Sequence, residues 1–141
     1  MADYREEFYS ARWHLDVAKR MFRSYDEYGG KRFLVGVIRE AAKASANLVR
    51  AFLIREKMSG DLRTFVDRIA SKYLDSDDVE SMVKILEVER AHRMSKSEFA
   101  RKDEILFEDD GNWKILKISR LREFIESIDD IIGKFPADIK R

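Results

Sequence analysis

Cysteine is absent from this 141-residue chain, and histidine occurs only twice. The first absence excludes a disulfide framework and thiolate chemistry, and with so few histidines a structural zinc site lacks its usual ligands. A reducing, cytoplasmic setting is the expectation. No apolar run approaches the roughly 20 residues that span a bilayer, and the opening Met1-Ala-Asp-Tyr-Arg-Glu-Glu-Phe8 is acidic and amphipathic rather than signal-like, so no membrane association is expected. There is no phosphate-loop pattern, no dinucleotide glycine motif and no paired-histidine zinc motif. Nucleophilic triads lack a cysteine, an elbow and more than two histidines to act as base. The carboxylate pairs Asp77-Asp78 and Asp109-Asp110 read as a helix cap and a turn, since hard cations want more oxygen ligands than either supplies. Neither metal nor cofactor is expected.

What is present is charge of both signs and enough apolar residues for a core. Charged residues make up 39% of the chain at a net charge of +1, which excludes the basic balance of a dedicated DNA-binding domain but leaves room for local basic patches. High charge and a single proline also suit a thermophile protein. An apolar fraction of 45% argues against disorder, and the length fits one domain over residues 1–141.

The stretch Phe33 to Lys57 organises the rest. Leu34, Ile38, Ala41, Ser45, Leu48 and Phe52 form one stripe at helical spacing, flanked by Val37, Ala44, Ala42, Val49 and Leu53. A narrow polar strip of Gly36, Arg39, Glu40, Lys43, Asn47 and Arg50 remains, so the helix must be covered on most sides. Before it, a helix from about Asp3 to Glu27 carries Phe8, Ala11, Leu15, Ala18, Phe22 and Tyr25 on one face. Tyr9 and Trp13 fall nearly opposite, where they either pack within the chain or anchor a subunit interface. His14, at the stripe's edge, reads as a hydrogen-bonded histidine at the margin of the core. Gly29-Gly30 turns the first helix back on the second.

After the break at Ser59-Gly60-Asp61, Leu62 to Tyr73 marks a shorter third helix. A fourth begins near Asp78, with Asp77 and Glu80 as a capping box and Val79, Met82, Val83 and Leu86 as its stripe. Along that face Arg90, Arg93, Met94 and Ser97 follow, so arginines enter what had been the core side. The stretch from Glu104 to Lys117 is non-helical, with Asp109-Asp110-Gly111-Asn112 as the turn of a short β-hairpin or ordered loop. Ser119 caps a last helix with Leu121, Phe124, Ile125, Ile128, Ile131, Ile132 and Phe135 inward. The fold class is therefore all-α, an antiparallel bundle of about five helices with a short β-hairpin or loop before the last.

Three features resemble the HEPN family of small helical bundles. The first helix reads Ala11-x-x-His14-Leu15-x-x-Ala18-x-x-Met21, the second is alanine-rich from Glu40 to Leu48, and a capped helix follows a variable excursion. The resemblance covers most of the chain. It implies a homodimer, RNA or nucleotide as ligand, and in some members a nucleotidyltransferase-like partner in a toxin-antitoxin pair. Many members place an arginine, four to six residues and a histidine at a composite, metal-independent ribonuclease site. Here the match is Arg93, four residues and Glu98, followed by Phe99. A carboxylate there neither donates a proton as an imidazolium does nor attracts a phosphate. His92 precedes Arg93 and projects elsewhere on the helix.

Arg90 and Arg93 therefore carry two readings: pairing with Glu87, Glu89 or Glu98, or a phosphate contact joined by Arg39, Lys43 and Arg50. The leading expectation is a non-catalytic HEPN-like protein that binds RNA, a nucleotide or a protein partner. The alternatives are an endoribonuclease using Arg93 with Glu98 or His92, and a structural dimerisation module.

Overall fold

A computed structural model describes residues 3–136. Helix α1 (Tyr4–Tyr28) starts at Asp3, whose side chain accepts from the Arg5 N–H at 2.9 Å. It buries Phe8, Ala11, Leu15, Ala18 and Phe22, the expected stripe. The Gly29 N–H closes it on the Tyr25 carbonyl at 2.7 Å, and Gly29 and Gly30 take φ of 72° and 106°, which lets the chain reverse into α2 (Lys31–Arg55).

Helix α2 is the buried centre, with Leu34, Val37, Ile38, Ala41, Ala44, Leu48, Ala51 and Phe52 fully enclosed. Two members of its expected solvent strip are also buried, Gly36 and Asn47. Gly36 lies under Met21: a Cβ there would stand 2.3 Å from the Met21 sulfur, so the missing side chain lets α1 approach. Asn47 turns back onto Glu7 of α1.

The expected third helix is divided into α3 (Leu62–Arg68) and α4 (Ala70–Tyr73) at Ile69, whose φ of −119° and ψ of −45° interrupt the regular repeat. Asp61 and Thr64 form a capping box at its start. Helix α5 (Ser76–Met94) corrects another expectation. Its cap is Asp75, which accepts from the Asp78 N–H at 2.9 Å, so Asp77 and Asp78 lie inside the first turn.

The non-helical excursion is larger than a hairpin. Strands β1 (Ser97–Arg101), β2 (Glu104–Asp109) and β3 (Asn112–Lys117) form an antiparallel sheet in that order. Asp110 and Gly111, at φ of 51° and 80°, make the predicted two-residue turn. Phe99, Leu106 and Ile115 stand opposite one another across the three strands, while Ile105, Phe107 and Leu116 on the other face are buried in the core.

The sheet feeds without a loop into α6 (Ile118–Lys134). Ser119 is not its cap: the helix starts at Ile118, whose N–H donates to the Asp103 carbonyl at 2.9 Å. Leu121, Phe124, Ile125, Ile128 and Ile131 face inward as expected, and the Phe135 ring lies against Phe8 and Phe52, at centroid distances of 4.8 and 4.6 Å. The architecture is a largely helical bundle with a small sheet inserted before its last helix. No helix among the described residues is long and apolar enough to cross a membrane.

Candidate functional site

The residues singled out in the sequence lie in two places. At the C-terminal end of α5, Arg93 Nε donates to both Glu89 oxygens at 2.9 and 2.8 Å, one turn back on the same exposed helix face. The internal-pairing expectation for Arg93 therefore holds. Glu98 is drawn the other way. Strand β1 folds back so that Glu98 Oε2 meets His92 Nδ1 at 2.6 Å, and Lys31 Nζ lies 3.7 Å from Glu98 Oε1. His92 also sits edge-on to the buried Phe107 ring at 5.9 Å. His92 and Arg93 engage different partners, and the His92–Glu98 contact was not foreseen because the spacing within a helix cannot register a reversal of the chain after Met94. Arg90 is exposed and has no carboxylate within 4.0 Å among the described residues.

The second place is the outside of the α1–α2 hairpin. Arg39, Lys43 and Arg50 are exposed, and Arg32, which the sequence reading passed over, shares their line at i, i+7, i+11 and i+18. Its signal was that i+7 relation to Arg39. The line runs about 27 Å at 1.5 Å per residue, so Arg50 lies far from Lys31 and the His92–Glu98 contact. The candidate residues do not converge on one site. Among the described residues, Arg32 and Arg39 have no carboxylate within 4.0 Å, while Lys43 lies 3.6 Å from Glu40 and Arg50 3.0 Å from Glu7. Glu40 Oε1 also lies in hydrogen-bond contact with His14 Nδ1 at 2.6 Å, which makes His14 the bonded core-margin histidine expected.

Tyr9 and Trp13 remain 42% and 59% exposed beside this line. The Trp13 ring meets His14 edge-on at 5.0 Å. With Glu7, Ser10, Asn47 and Arg50 they border a shallow cleft of about 640 Å³. A cleft of about 670 Å³ at the start of α6 is bordered by four cations, but Arg101 is held by Glu104 and Arg122 by Asp26.

One acidic cluster was missed. Asp75, Asp78 and Asp130 bring carboxylate oxygens within 4.8 Å of one another. Lys134 Nζ lies among them at 3.2, 2.6 and 2.9 Å and supplies the positive charge. Hydrogen bonding to Asp78 first, then to Asp130, holds the Lys134 ammonium well above its ordinary range, while burial pushes the Asp78 carboxyl up. The outer face of the sheet was also missed: Phe99, Trp113 and Ile115 are exposed, with Phe99 and Trp113 rings 5.3 Å apart.

No protein-family model, curated protein or solved structure matches the chain.

Proposed function

We propose that this chain is a HEPN-like bundle that binds single-stranded RNA along the outside of α2 and does not cleave it. The observation that carries this reading is the exposed cationic line Arg32, Arg39, Lys43 and Arg50, two of whose members have no carboxylate partner among the described residues, running beside the exposed rings of Tyr9 and Trp13. A line of charge about 27 Å long tracks a backbone of several nucleotides, and aromatic rings alongside give unpaired bases a stacking surface. Double-stranded RNA offers no such unstacked bases. What supports the absence of cleavage is the α5 end, where Glu89 engages Arg93 and Glu98 stands at the position of the family's histidine. Neither a homodimer nor a nucleotidyltransferase-like partner is required for this activity.

Fluorescence anisotropy with a labelled mixed-sequence RNA in EDTA tests the reading. Binding without cleavage is expected, with affinity reduced about tenfold in the double variant Arg32→Ala, Arg39→Ala as two phosphate contacts are lost. Unchanged affinity in that variant would remove the α2 line from the interface.

A second reading is favoured by the His92–Glu98 contact. A carboxylate 2.6 Å from Nδ1 fixes an imidazole so that Nε2 can carry a proton, the requirement for metal-independent cleavage at a ribose hydroxyl. Cleavage in EDTA that vanishes in His92→Ala would put this reading first.

A further inference from the structure

The cleft at the far end of the α1–α2 hairpin has a chemistry that a line of cations does not explain. Asn47 is only 7% exposed. Its Nδ2 donates to Glu7 Oε1 at 2.7 Å, while its Oδ1 is buried and accepts no hydrogen bond among the described residues. The amide cannot be turned to hide that acceptor, because the oxygen would then face the Glu7 carboxylate. A buried acceptor without a donor is the exception in folded proteins and marks a place where a donor belongs. Arg50 Nε also donates to Glu7 Oε1, at 3.0 Å, which leaves Glu7 Oε2 and the Arg50 Nη groups without a hydrogen bond among the described residues. Glu7 and Arg50 therefore offer the cleft an acceptor and a fork of donors, the Asn47 acceptor is closed to solvent, and Trp13 stands beside them as an open aromatic face.

We infer that this cleft takes an unpaired guanine of the bound RNA; the inference rests on the RNA-binding reading above and adds base selectivity to it. Guanine alone among the four bases presents two adjacent donors, N1–H and the 2-amino group, on its Watson–Crick edge, next to the O6 acceptor. Glu7 Oε2 and Asn47 Oδ1 match the donors, and the Arg50 guanidinium matches O6. Adenine and cytosine set a ring-nitrogen lone pair beside their amino group, which the Glu7 carboxylate repels. Uracil has one N–H between two carbonyls. The ring stacks on Trp13, with Tyr9 one turn back on the same helix. The side chains of Trp13 and Arg50, more than half exposed, move aside to admit the base to Asn47. An arginine side chain of a protein partner shares guanine's donors, but it brings no acceptor for Arg50 and adds a like charge beside it.

The chain has two tryptophans, so Trp113→Phe leaves Trp13 as the sole indole reporter. In that background, quenching by the RNA pentamers UUGUU, UUAUU, UUCUU and UUUUU is titrated. The expected result is saturable quenching with UUGUU bound about tenfold or more tightly than the others. Glu7→Gln keeps an oxygen for Asn47 and Arg50 but replaces the free acceptor by an amide, and is expected to level the four affinities by weakening UUGUU about tenfold and relieving the repulsion of adenine and cytosine. Equal affinity for all four pentamers in the parent overturns the guanine assignment and leaves RNA binding standing. Loss of binding to every RNA removes both. Quenching by acetyl-arginine amide as strong as by UUGUU overturns the assignment in favour of a basic peptide.

Discussion

Lys134 lies among three carboxylates, and its ammonium holds together two segments far apart in the chain, the start of α5 and the end of α6. Asp78 is 4% exposed, so its charge depends on that partner. Lys134, with its value raised above the ordinary 10.5, contributes fully at neutral pH and loses its contribution only as pH rises through the raised value. Replacing it by methionine leaves the buried Asp78 carboxylate facing Asp75 and Asp130. An acid held above its unfolded value of 3.8 takes up a proton on folding, so stability then falls as pH rises through the interval between the two values. Lys134→Met is therefore expected to lower Tm more at neutral than at mildly acid pH. Equal losses at both, measured by thermal melts followed by circular dichroism, would show that Lys134 contributes through its stem and not its charge. None of this was legible in the sequence. Asp77-Asp78 looked like the start of a helix cap, and only the fold brings Asp130 and Lys134 alongside Asp78.

At the scale of elements, the two long helices were readable because a single buried face imposes its period on the residues: Phe8 to Phe22 and Leu34 to Phe52 are inward where the spacing placed them. Strand β1 was not readable. Ser97–Arg101 has one large apolar residue, Phe99, too few to display alternation. Its pairing comes from β2, which was recognisable through the Asp110-Gly111 turn. The His92–Glu98 contact depends on that pairing and was hidden with it. Gly36 sits at the closest approach of α1 to α2, and it tests how tightly the hairpin is packed. Gly36→Ala is expected to be near neutral, since a gain of about 1 kcal/mol in helix propensity offsets the displacement of the flexible Met21. Gly36→Val, with two further carbons at the contact, is expected to cost about 1–3 kcal/mol in urea unfolding. If valine is tolerated as well as alanine, the two helices are not in close contact there.

For the whole molecule, a net charge of +1 hides an uneven distribution. Most acids are engaged by neighbouring bases, and the outside of α2 carries a run of cations with Arg32 and Arg39 left over among the described residues. Phosphate contacts from Arg32, Arg39 and Lys43 to single-stranded RNA give a slope of about −2 in a plot of log affinity against log salt. A slope near zero would mean that the run does not meet phosphates. The balanced composition excluded a strongly basic protein, but it could not show where the surplus cations lie: the local pairs of Lys43 with Glu40 and Arg93 with Glu89 follow from helical spacing, whereas that of Arg50 with Glu7 is a property of the fold.

The ring contact of Phe135 with Phe8 and Phe52 also bears on how the chain is made. Helices α1 and α2 meet through a two-glycine turn and can pair as soon as both have left the ribosome. Phe52 is met early by Phe65 and Tyr73, but the sides of Phe8 and Phe52 that Phe135 covers wait for a partner encoded far downstream, and during that interval they are open to solvent and to other nascent chains. The bundle is thus local in its first pairing and late in its closure, so synthesis that stalls within α6 releases a chain with an adhesive aromatic surface, a substrate for chaperones rather than a smaller stable fold.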